Sequence, residues 1–181
     1  ASCLVGSEMC IRDSSNTPFA TSTFQYTDDQ SGTQKEISYV NAFLDAAKDS
    51  GVSPYHLASR VKQEVVTGAT TTSIAVTGTT TEYPGIYNFY NIGATSGATP
   101  ALNGLKWAST GDTYLRPWTN PYRSIVGGAM YIGSNYINRG QNTGYLQKFN
   151  VTPTGTYNHQ YMTNVEAALS LIHISEPTRQ E

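Results

Sequence analysis

Ser53-Pro-Tyr-His-Leu-Ala-Ser-Arg-Val-Lys-Gln-Glu-Val65 is the stretch whose periodicity decides how the rest of the chain is read. Leu57, Ala58, Val61 and Val65 recur at helical spacing and form one apolar face. Pro54 suits a first helical position, where its missing N–H was an orphan in any case, and Ser53 can cap the free amides. Gly68 is the expected end. Glu64 stands three residues after Val61 and seven after Leu57, so it shares the apolar face rather than the solvent face. A carboxyl there is desolvated, which favours its protonated form. Such a group suits proton donation to the leaving oxygen of a glycoside. Spacing alone equally allows an ion pair with an arginine elsewhere, or the edge of an amphipathic helix.

Upstream, Lys35 to Ser50 carries Ile37, Val40, Phe43, Leu44 and Ala47 at the same spacing, with Gly51 as a stop, and is expected to be a helix. Ser15 to Thr33 is polar and aperiodic, which reads as a linker or extended lead-in over residues 15–34. Downstream, Thr67 to Thr81 is dense in Thr, Ser and Gly, with Ser73-Ile-Ala-Val-Thr77 as a β-prone piece. Tyr83 to Ala94 is aromatic and expected to be extended. Pro100 to Ser109 and Pro121 to Asn138 are expected helices, the second stopped by Gly140. Thr143 to Phe149 and His159 to Ala168 read as further short helices. Mostly helix with one β-prone insert indicates an α+β domain.

Both ends of the chain are set apart from this domain. A single short DNA duplex, translated in opposite orientations, can encode both Leu4 to Asp13 and Leu169 to Arg179. Residues 1–14 and 169–181 are therefore expected to be adapter-derived artefact rather than native protein. Cys3 and Cys10 fall in or beside the first scar, so the core offers no disulfide framework. A fragment boundary would also have removed any leader peptide.

Roughly 150 native residues suffice for one domain with a real core. The formal net charge of −2 argues against a general nucleic-acid surface, which needs a clustered basic stripe. No apolar run is long enough to insert in a membrane. Charged residues make up only 13% of the chain while Tyr alone numbers 13. Flat rings with polar handles, among many Asn, Ser and Thr, match the ring faces and hydroxyls of a carbohydrate. Many extracellular proteins share that composition without binding sugar. No His, Cys or Asp cluster has metal spacing, and no metal or organic cofactor is expected. Gly127-Gly128 reads as close helix packing, because no phosphate-binding pattern surrounds it.

Three segments then coincide in order: Ala58-Ser-Arg-Val-Lys-Gln-Glu64, Tyr87-Asn-Phe-Tyr-Asn-Ile-Gly-Ala94, and Trp118-Thr-Asn-Pro-Tyr-Arg-Ser-Ile-Val-Gly-Gly-Ala129. Together they resemble the glucosaminidases of bacterial autolysins, glycoside hydrolase family 73 in its clostridial-type branch, over nearly all of Ile37 to Ala168. The resemblance implies a lysozyme-like, mainly helical α+β fold with a small β-lobe over residues 35–168. It implies an endo-β-N-acetylglucosaminidase that cleaves the β-1,4 bond after N-acetylglucosamine in peptidoglycan glycan strands, with Glu64 as catalytic acid. It further implies a secreted, cell-wall location and a monomeric domain of a larger protein. Tyr87, Asn88, Tyr90 and Asn91 would line the groove, with Trp118, Tyr122 and Tyr131 as candidates for its aromatic wall.

Glu82, on the Thr/Ser-rich insert, is the candidate second carboxylate. It would serve as base for an inverting water if the two carboxyls stand about 6.5–9.5 Å apart. It would matter less if the substrate's acetamido oxygen attacks. Two other readings stay open: a non-catalytic cell-wall binding module, and a muramidase or lytic transglycosylase on the same fold.

Overall fold

The computed structural model describes Phe19, residues 21–68, 71–95 and 97–137, and Gly140. The expected helices at 143–149 and 159–168, His159 and both adapter-like ends lie outside the described residues.

The chain enters through an antiparallel pair, β1 (Thr23–Thr27) and β2 (Gln34–Ser38), with Phe24 opposite Ile37 and Tyr26 opposite Lys35. This corrects two expectations, since residues 15–34 are not all lead-in and the next helix does not begin at Lys35. Alternation at period two decides the matter: Phe24 and Ile37, paired across the ladder, share one face and pack on the core. Ile37 had read as helical only because it also falls three residues before Val40. The turn between the strands closes through Asp28 N–H to Thr33 O at 2.9 Å, and Lys35 is paired with Asp28.

Helix α1 spans Tyr39–Ser50. The Ser38 hydroxyl accepts from Asn41 N–H at 3.1 Å, so strand passes to helix at a side-chain cap. Gly51, at φ 71°, ends the helix with its N–H on Ala47 O, as its left-handed conformation favours. Helix α2 spans Pro54–Val65 with Pro54 in its first turn, but the Ser53 side chain makes no capping bond. It stops three residues short of Gly68, because Val66 turns extended and bridges to Thr72.

The insert then differs from expectation. Ser73–Thr77 is not a strand but a single 3-10 turn at Ile74–Val76, opened by the Ser73 hydroxyl accepting from Ala75 N–H at 3.3 Å. Competition from a short hydroxyl side chain for local backbone is a known way to override β preference. Ala75 and Val76 are buried while Ile74 is half exposed. The described strand pair therefore precedes α1, and among the described residues the insert adds only the Val66–Thr72 bridge. Residues 83–94 are not extended either, but form successive turns.

Helices α3 (Pro100–Ser109) and α4 (Pro121–Asn135) stand where expected, although α4 ends before Asn138. Asn120 caps α4 by accepting from Arg123 N–H at 2.9 Å. The centre of the molecule is α1 packed on α4, with α2 against α1 and the 3-10 turn against α3. Leu57, Val61, Val65, Phe89, Tyr90, Leu105, Trp118, Ile125 and Ile132 fill one continuous core. Gly127 and Gly128 are required for that packing. A Cβ at Gly127 would run into Tyr114 O, and one at Gly128 into the Tyr90 ring. The helix therefore approaches its neighbours at backbone distance, and the pair is no anion cradle. The mainly helical α+β class holds, with the sheet elsewhere than expected.

Candidate functional site

Glu64 is the penultimate residue of α2 and is half-buried. A helix leaves its last four carbonyls without intrahelical donors. Here two of them are claimed by later segments: Ser73 N–H donates to Val65 O at 2.7 Å, and the Asn91 carboxamide donates to Glu64 O at 2.8 Å. The same Asn91 Nδ2 lies 3.4 Å from Glu64 Oε2. Capping of α2 thus brings the insert to the helix end and the Tyr83–Ala94 segment to the Glu64 carboxyl. Arg60, one helical turn before Glu64, is wholly buried, with its guanidinium carbon 5.9 Å from the Tyr136 ring centroid.

Asn91 is held in place by its neighbours. Asn88 is fully buried and closes the loop on itself: its Nδ2 donates to Ile92 O and Gly104 O, both at 2.9 Å, and its Oδ1 accepts from Ile92 N–H at 3.1 Å. Phe89 N–H donates to the buried Ser124 hydroxyl at 3.0 Å. The Tyr90 hydroxyl donates to Ile125 O at 3.2 Å. Asn91 sits at the apex of this loop with φ 49°, a left-handed conformation that asparagine tolerates better than most residues.

Three expected groove residues are therefore core. Asn88, Tyr90 and Trp118 have no exposed surface, and a side chain without solvent access cannot contact a glycan. Trp118 donates its indole N–H to Tyr114 O at 2.8 Å and stands edge-on to Trp107. Their sequence signal was chemical type, which serves a core and a sugar platform equally well.

The other candidates are more accessible. Tyr87 is half-buried, its N–H bonded to Trp118 O at 3.0 Å and its ring against Gly78. Tyr122 stacks on Tyr26 of β1 at 4.4 Å, and its hydroxyl lies 3.4 Å from Asp45 Oδ2. Burial first, then the Asp45 charge, holds its phenol well above the usual range. One face of Tyr122 is thus spent on fastening the hairpin to α4. Tyr131 is half-buried, edge-on to Trp107 and Tyr114. Glu82 is exposed near the end of a loop closed by Gly85 N–H on Gly78 O at 2.8 Å.

Sequence reasoning missed Ser124 and Arg60. Arg60 had a signal, since it precedes Glu64 by four residues on the same helix. Ser124 had none, because its value lies in reaching Phe89, 35 residues away in sequence. Among the described residues, no group of three or more His, Cys, Asp or Glu could hold a metal ion, and no helix is long and apolar enough to cross a membrane.

A helical body that presents a carboxylate at a helix end invites comparison with known proteins. The structure of S. aureus autolysin E superimposes with a TM-score of 0.56 at 24% identity, over 75% of this chain and 55% of that one. The chain shares the lysozyme-like fold of autolysin E. A catalytic mutant of autolysin E, in complex with the disaccharide NAG-NAM, matches with the same TM-score at 23% identity, over 75% of this chain and 56% of that one.

In sequence, the chain is 35% identical over 127 residues to the β-N-acetylglucosaminidase of Bacillus subtilis strain 168. It is 33% identical over 134 residues to the bifunctional autolysin of Staphylococcus epidermidis. These alignments cover 68% and 70% of this chain but only 13% and 9% of the relatives, so the chain spans about a tenth of their length. No protein-family model matches the chain.

Proposed function

We propose that this chain is a peptidoglycan hydrolase domain, an endo-β-N-acetylglucosaminidase that cleaves the β-1,4 bond after N-acetylglucosamine with Glu64 as general acid. The observation that carries the reading is the half-buried Glu64 carboxyl at the end of α2, held by Asn91, in a fold shared with autolysin E. Kinship with a named β-N-acetylglucosaminidase and with bifunctional autolysins supports the substrate class.

The chemistry follows from the placement. As general acid, Glu64 would pass its proton to the leaving oxygen. As the C–O bond breaks, positive charge builds on the sugar ring and must be met from the opposite face. Glu82 is the candidate for that side, as base for an attacking water. Glu82 is exposed on its loop, where water can reach it. Tyr87, Tyr122 and Tyr131, each half-buried, are the candidate contacts for the glycan. Peptidoglycan is outside the cytoplasm, so the domain would act at the cell wall as part of a longer protein. The reaction requires no metal or organic cofactor.

The test is release of reducing ends from purified peptidoglycan. The parent should release them, and Glu64→Gln should release none above background. Mass spectrometry of the products should find N-acetylglucosamine at the new reducing end. N-acetylmuramic acid there would reassign the enzyme as a muramidase, and an anhydro-muramyl end as a lytic transglycosylase. Binding to peptidoglycan without any turnover by the parent would make the domain a wall-binding module.

A further inference from the structure

The Asn91 carboxamide has two N–H groups and faces two oxygens of one residue, Glu64 O at 2.8 Å and Glu64 Oε2 at 3.4 Å. We propose that Asn91 is a positioning residue for the Glu64 carboxyl, holding it through Oε2 in the orientation from which it donates its proton. The inference rests on the hydrolase reading and adds to it a role for a residue that does not itself donate the proton.

The argument is steric and electrostatic. An oxygen that accepts an N–H cannot also carry a hydrogen pointed at the same donor. The Asn91 N–H on Oε2 restrains the carboxyl before substrate arrives. Binding the carbonyl and the carboxyl of one residue also ties the side chain to its own backbone, which restricts its rotamer. Capping α2 would require only the bond to Glu64 O, so the second contact is the one a purely structural role leaves unexplained.

The support is itself rigid. Asn91 is flanked by Tyr90, whose hydroxyl is anchored on Ile125 O, and by Ile92, whose N–H is anchored on Asn88 Oδ1. Its own carbonyl accepts from Ala94 N–H at 3.1 Å. With φ at 49°, the short side chain projects from a turn that cannot relax without uprooting buried neighbours. The Asn91 Oδ1 atom is buried and makes no hydrogen bond, so the protein uses only the donor edge of this amide.

The test uses the full chain with two substitutions that keep the backbone. Asn91→Gly removes the carboxamide and accepts φ 49° without strain. Asn91→Asp keeps size and left-handed tolerance and, when ionised, has no donor. On soluble peptidoglycan glycan fragments, kcat should fall roughly 10- to 100-fold with KM within about twofold, because a misplaced acid costs the transition state and not the ground state. On an aryl β-glycoside of N-acetylglucosamine oligomers with a nitrophenolate leaving group, which departs without a proton, kcat should stay within about threefold.

A raised KM at unchanged kcat would make Asn91 a substrate contact and overturn the proposal. Equal losses on both substrates, tracking a lower thermal midpoint, would make it scaffold only and overturn it as well. An active parent whose variants keep full kcat overturns this role alone. A parent inactive on both substrates overturns the hydrolase reading and this role with it.

Discussion

The Asn88 carboxamide reaches 16 residues along the chain to donate to Gly104 O of α3 at 2.9 Å, with both residues buried. With its two bonds to Ile92, this single side chain satisfies three backbone groups and fixes the loop that carries Asn91. Deleting it strands polar groups in the core, each at about 1–3 kcal/mol. Asn88→Ala should therefore destabilise the fold by about 2–4 kcal/mol in urea denaturation, with a lowered midpoint and an unchanged slope. A loss below about 0.5 kcal/mol would mean the loop is held by other means.

Gly128 offers a packing test that leaves every hydrogen-bonding group intact. The added methyl of Gly128→Ala would overlap the Tyr90 ring, which is fully buried and anchored on Ile125 O. Overpacking of this kind costs about 1–3 kcal/mol, against less than 1 kcal/mol gained from replacing a helical glycine. The thermal midpoint should fall. A midpoint at or above that of the parent would show that α4 can shift away from the 83–94 segment.

Glu82 is testable through stereochemistry. If it activates water, the first product in proton NMR is the α-anomer, and Glu82→Gln lowers kcat by about 100-fold. A β-anomer first product with little loss in Glu82→Gln assigns the attack to the substrate's acetamido oxygen instead.

Alkaline pH should unfold the protein through its buried phenols. Burial, and secondarily Tyr87, push Tyr39 up to about 12 from a model-peptide value of 10.0, and Tyr122 is raised in the same direction. A phenol whose folded value exceeds its unfolded value keeps its proton in the native state while the unfolded chain loses it. Stability is therefore full below pH 10 and falls as pH rises from about 10 to 12. Urea midpoints measured across that window should decline, and Tyr39→Phe should flatten the decline.

What the sequence made legible was whatever depends on local spacing. The faces of α1, α2 and α4, the proline starts of α2, α3 and α4, the Gly51 stop and the shared face of Leu57, Val61 and Glu64 all follow from a period of 3.6 residues and from local capping chemistry. Where two periods overlapped, the reading failed. Ile37 fits a helix leading to Val40 and a strand facing Phe24, and pairing across the hairpin chose the strand. At Ser73–Thr77, β-branched composition lost to a serine that caps its own turn.

Local spacing determined which segments are helical and put a carboxylate on the apolar side of α2, because those features are written in neighbours three and four residues apart. Tertiary structure alone decided which of Asn88 and Asn91 meets that carboxylate, and that Tyr90 and Trp118 are interior. The physical reason is that burial and hydrogen-bond partnership here join groups 16 to 35 residues apart, and side chains of the same type on one tight loop reach different partners.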